Sequence, residues 1–119
     1  MYYRDWFVTQ IRAAIQMLAQ LMFKRDDITY EIRDDREHTD TDLLFLRLCA
    51  LLAENNINEA ENLLFDMLDT NDRGHLRLAL DFFNRVNNMS DDELEAANYS
   101  REEISNGVDD IKSLFGIFL

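Results

Sequence analysis

No proline interrupts the 119 residues of this chain, and glycine occurs only at Gly74, Gly107 and Gly116. Proline and glycine end helices more sharply than any other residues, so nearly the whole length is free to be helical. Apolar residues make up 47%, enough for one core in one domain of this size. The lone Cys49 has no partner for an internal disulfide. Twelve basic residues stand against 24 acidic ones, a net charge of −12. Such a chain repels phosphate backbones, which excludes nucleic acid as a direct partner.

Residues 1–25 read as a long apolar N-terminal helix. Asp5, Thr9, Arg12, Gln16 and Gln20 recur at spacings of three and four, one narrow polar stripe. The remaining circumference carries Trp6, Phe7, Ile11, Ile15, Leu18 and Leu21, and a helix so widely apolar is expected to be a hidden hub of a bundle or buried in a partner. The same polar residues break the run well short of the ~20 apolar residues of a membrane span, and no signal-peptide pattern is present. A cytoplasmic protein without a membrane partner is expected. Residues 26–42 form an extended, acidic connector. Ile28 to Ile32 alternates apolar and polar in the period of a strand, and a charged stretch follows as far as Asp42.

Residues 43–119 read as helical hairpins. One helix runs from Leu43 to Ala53, with Thr39, Asp40 or Thr41 as its cap. Asn56 with Glu59 forms an amide version of a capping box for the next helix, and residues 69–74 form a turn before a helix over 76–86. Ser90 with Glu93 and Ser100 with Glu103 are two further boxes, and Gly116 is a left-handed C-cap. The expected fold is therefore all-α, with stacked helical hairpins, a long apolar first helix and one short extended segment.

An echo at an offset of 32 residues aligns Leu44, Leu48, Leu51 and Asn55-Asn56 with Leu76, Leu80, Phe83 and Asn87-Asn88. Tandem helical hairpins near this period mark tetratricopeptide-type repeats, and the first copy resembles them at Leu44, Leu51, Ile57, Ala60 and Leu64. It departs at Leu48, where a small residue is wanted, and Asp92 stands in the second copy where alanine is expected. Over nearly its full length the chain also resembles an uncharacterised Gram-positive bacterial family of small acidic proteins, a domain of unknown function. The matching stretches are the Trp6 and Ile11 helix, Leu43-Leu44, residues 57–65, Ala79 to Phe83, and the segments starting at Ser90 and Ser100. That resemblance implies a helical bacterial protein and transfers no activity.

No stretch carries a catalytic, cofactor-binding or metal-binding signature. Residues 69–74 begin like a calcium loop, but Arg73 and Leu80 fill the places of two oxygen ligands. His38, Cys49 and His75 lack the close pairing of a zinc site. Cys49 sits among leucines with only Arg47 nearby, the setting of a small core hydrophobe. Residues 1–33 carry a net +1 and the remaining 86 a net −13. These readings lead to a non-enzymatic protein–protein interaction module without cofactors, self-associating through its first helix. The aromatic and aliphatic tail Phe115, Ile117, Phe118 and Leu119 adds to the apolar excess behind that expectation. A homo-oligomeric structural protein and a small-ligand-binding protein are the alternatives.

Overall fold

The computed structural model describes residues 2–24, 29–34 and 36–118, with side chains from residue 5 onward. Six helices follow one another: α1 Tyr2–Phe23, α2 Asp40–Ala53, α3 Ile57–Met67, α4 Arg73–Asn87, α5 Asp91–Ala96 and α6 Arg101–Leu114. No strand occurs among the described residues.

Local capping chemistry sets most of the boundaries. Thr39 caps α2, its hydroxyl accepting the Asp42 N–H while the Asp42 carboxylate accepts the Thr39 N–H. The helix thus starts at Asp40, three residues ahead of the expected Leu43. Asp72 caps α4 by accepting the Gly74 N–H at 2.8 Å, so that helix begins at Arg73 rather than Leu76. Ser90 and Ser100 form the two expected reciprocal boxes with Glu93 and Glu103. Asn56 departs from expectation. It precedes α3 without any side-chain cap, and its amide donates instead to Glu54. The amides beside it dock the hairpin onto α5: Asn55 donates to the Glu93 carbonyl and Asn58 to the Ala97 carbonyl. Gly116 takes φ +69°, the Ile117 N–H reaches the Lys112 carbonyl at 2.8 Å, and Ile117 is folded back to 8% exposure. This is a Schellman closure, and it hides one residue of the tail expected to be exposed. Phe118 stays 84% exposed, and Leu119 lies outside the described residues.

The hub is α4, not α1. Helix α4 packs against α1, α2 and α6, α1 also packs on α6, and α2 pairs with α3. Nine of its side chains are buried, including Leu76, Leu80, Phe82 and Phe83. At the α4–α6 crossing, a Cβ placed on Gly107 would stand 2.4 Å from the Phe83 ring, so the two helices approach closely only because that residue is glycine. Helix α1 buries Ile11, Ile15, Leu18 and Ala19 and leaves Trp6, Met17 and Leu21 more than half exposed. The expectation of a hidden first helix thus holds for one of its faces only. Its position is held by polar staples: Asn87 donates to the Val8 carbonyl, Arg73 to the Met22 carbonyl, and the Arg73 and Arg77 guanidiniums lie over the Phe23 ring.

The extended segment, described from residue 29, pairs with no strand and lies across α2 and α4; Ile28 lies outside the described residues. The Tyr30 N–H donates to the Asp81 carboxylate on α4, and its hydroxyl donates to Asp42 on α2. Side chains serve backbone groups that a neighbouring strand would otherwise pair: Asp81 takes the Tyr30 N–H, and Arg77 donates to the Thr29 carbonyl.

Candidate functional site

Helix α1 presents an exposed stripe that is apolar at every position but Gln10. At 100° per residue, Trp6, Gln10, Ala13, Met17 and Leu21 fall on a single face, beside the exposed polar stripe and opposite Ile15. Trp6 and Met17 are each 56% exposed and Leu21 52%. Trp6 keeps an edge-on contact with Phe7, whose ring lies 5.7 Å away and is partly buried against the core. The two faces arise from one cause: the apolar arc of α1 is wider than the surface that α4 and α6 cover. No carboxylate stands on the stripe. Among the described residues, no helix is long and apolar enough to cross a membrane.

The polar interior is a second constellation. Asp81 is 3% exposed and accepts the Arg85 Nε–H at 2.7 Å as well as the Tyr30 N–H at 3.2 Å. Asp42, 5% exposed, accepts the Tyr30 hydroxyl at 2.7 Å. Burial, that hydrogen bond and the Asp42 charge push the Tyr30 hydroxyl up to about 12. The Tyr30 and Thr39 donors hold the Asp42 carboxyl below the usual carboxylate range, and Asp81 holds Arg85 above its ordinary value. Tyr30 also stacks on Phe45 at 4.8 Å, and Arg85 lies over the same ring at 5.4 Å. Every named group already has a partner within the chain, so the network joins the 29–34 segment, α2 and α4. Periodicity passed over it, although an aspartate and an arginine four apart in the apolar Ala79 to Val86 run are a visible signal.

Cys49 lies near this network, half-buried beside Arg85 and Met89 in a groove of about 410 Å³. Burial pushes its thiol up, Arg85 pulls it down, and Asp81 pushes it up again. A thiol shifted upward exposes less of the reactive thiolate.

The acidic turn and loop use their carboxylates on their own backbone. Asp69 accepts the Asn71 N–H, Asp72 caps α4, and the Asp69 N–H donates to His75 Nδ1 at 2.9 Å. Asp34 accepts the Arg36 N–H at the surface while Asp42 is buried against Tyr30, so these two acids diverge. His38 is exposed, whereas Cys49 and His75 are half-buried. Among the described residues, no three His, Cys, Asp or Glu side chains converge as a metal site. Between α3 and α6, the Tyr99 hydroxyl donates to Glu61. Burial raises the Glu61 carboxyl, Tyr99 opposes that, and the Glu103 and Asp110 charges add to it. Burial and the Glu61 hydrogen bond push the Tyr99 hydroxyl upward too.

No curated protein and no solved structure matches the sequence. A family model does, over residues 1–116, and its description is a family of unknown function, DUF6483. With a match over nearly its whole length, the chain belongs to that family.

Proposed function

We propose that this protein is a non-enzymatic interaction module whose α1 stripe forms a seam with a second copy of the chain. The observation that carries this reading is the exposure of Trp6, Met17 and Leu21 on one face of a helix whose other face is core. Aromatic and methionine side chains are enriched at interfaces, and a contiguous exposed apolar stripe marks a docking surface. Charge selects a second copy as the occupant. The stripe lies in the part of the chain with a net +1, whereas residues 34–119 carry −13. Pairing α1 with α1 therefore buries apolar surface while keeping the two acidic bodies apart. An antiparallel pair sets Trp6 of one copy near Leu21 of the other, a span of about 22 Å along the helix.

The same proposal places the protein in the cytoplasm of a Gram-positive bacterium and reads α2 to α5 as related to tetratricopeptide-type hairpins, on the strength of the 32-residue echo. Light scattering tests the seam. At ~100 μM the wild type is expected at twice the mass of one chain, since a dimer with a Kd near ~1 μM is almost fully formed there. Trp6→Ser with Leu21→Ser returns it to one chain mass. A wild-type monomer at that concentration contradicts the seam.

A further inference from the structure

We propose that the outer groove of the α2–α3 hairpin docks a basic amphipathic helix from another protein. This deepens the interaction-module reading by naming a class of partner, and it does not depend on the α1 seam.

A three-residue connection joins α2 to α3, and the two helices pack together, so they run antiparallel. Their inner faces bury Leu44, Leu48, Ala60 and Leu64. Their outer faces leave a trough of about 500 Å³. Its apolar lining is Ala50, Leu51 and Leu63, the two leucines half-buried, with Asn62 as an uncharged polar residue among them. Leu43 lies one turn before Arg47 and Met67 lies next to Asp66, so the antiparallel pairing brings both to the same end of the hairpin. They are 49% and 52% exposed. A trough parallel to two helix axes accepts a third helix by ridge-into-groove packing. With α2 14 residues long, about 21 Å, it accommodates anchors at i, i+4 and i+7 of such a helix.

The rim decides the charge of the occupant. Glu54, Glu59 and Asp66 stand along the trough against a single cation, Arg47. An acidic rim over a largely apolar lining complements a helix with leucine-like anchors flanked by lysine or arginine. It repels an identical acidic rim, which argues against groove-to-groove pairing of two copies, and it repels anionic lipid and nucleic acid as well.

The test is fluorescence anisotropy of three labelled synthetic peptides of about four turns. One has leucines at i, i+4, i+7 and i+11 with lysines elsewhere, one has the same composition with the leucine stripe scrambled, and one has glutamate in place of lysine. The striped basic peptide is expected to bind with a Kd in the micromolar range, and the other two about tenfold or more weaker. Glu54→Lys with Asp66→Lys weakens it about tenfold, while the same charge change at exposed Asp92→Lys with Glu95→Lys on α5 changes it less than about threefold. All four are surface positions, and circular dichroism melts confirm that the variants fold. Equal binding of the striped and scrambled peptides, or equal loss in the two charge-reversal variants, overturns the proposal, because binding is then only attraction to an acidic body. Light scattering separates this reading from the α1 seam. If the wild type is a dimer and the groove variants are monomers, the groove holds α1 of a second copy, and the foreign-helix proposal fails. If the variants keep the mass of the wild type and lose the peptide, it stands.

Discussion

Gly107 shows how much one missing methyl group decides. Phe83 is fully buried and hemmed in by Phe82 at 5.1 Å and Phe65 at 6.2 Å, so its ring has no room to yield to a new Cβ. Gly107→Ala restores up to about 1 kcal/mol of helix propensity but overpacks the crossing at a cost of about 1–3 kcal/mol. A net loss of about 1 kcal/mol or more is expected in the urea midpoint at unchanged m-value, and a neutral or stabilising result means that the ring moves. Glu61 is the opposite kind of residue, one that the fold tolerates. Its carboxyl is raised in the folded state, so the folded chain binds that proton at higher pH than the unfolded chain does. Its charged form therefore costs stability at neutral pH, and the cost fades as the pH falls through the folded value toward the unfolded one near ~4.3. Glu61→Gln, which still accepts from Tyr99, should melt higher than wild type at pH 7, with the difference shrinking toward zero near about pH 4. A constant difference across that range contradicts the assignment. Neither residue was legible beforehand, because the Phe83 ring and the Glu103 and Asp110 charges come from distant parts of the chain.

Helix boundaries divide cleanly into those written locally and those that are not. Ser90 and Ser100 were readable because a capping box needs only residues three apart, and both boxes form. Asn56 has the same local pattern and no cap, since its amide is turned toward Glu54. Ser100→Ala should then cost about 1 kcal/mol and Asn56→Ala less than about 0.5 kcal/mol, compared by chemical denaturation. Equal losses would mean that Asn56 caps α3 in solution. The segment around Tyr30 is extended, as its pattern implies, but its partners are not written locally. Alternation of apolar and polar residues reports an extended backbone, but not what satisfies it. Its partners, Asp42 and Asp81, are 12 and 51 residues away, and no local pattern announces a carboxylate in place of a strand. The Asp81 and Arg85 pair is legible in the sequence by its i, i+4 spacing, although the apolar run around it is the stronger signal.

For the molecule as a whole, periodicity measured the width of each apolar arc but not which part of it another helix would cover. Helix α1 has the widest arc and was expected at the centre. Helix α4 took that place because it packs on α1, α2 and α6 together and settles its one buried carboxylate with Arg85 and Tyr30. What remains of the α1 arc became the exposed stripe, and the functional account rests on that remainder. If two copies meet antiparallel across it, the symmetry axis passes near Ala13, midway between Trp6 and Leu21. Disulfide trapping reads this directly in a Cys49→Ser background, which removes the one native thiol. Ala13→Cys is expected to give a covalent dimer on mild oxidation, while Asn62→Cys, exposed on α3, which packs on α2, stays monomeric. Equal trapping at the two positions, or none at Ala13, would contradict a seam built on α1.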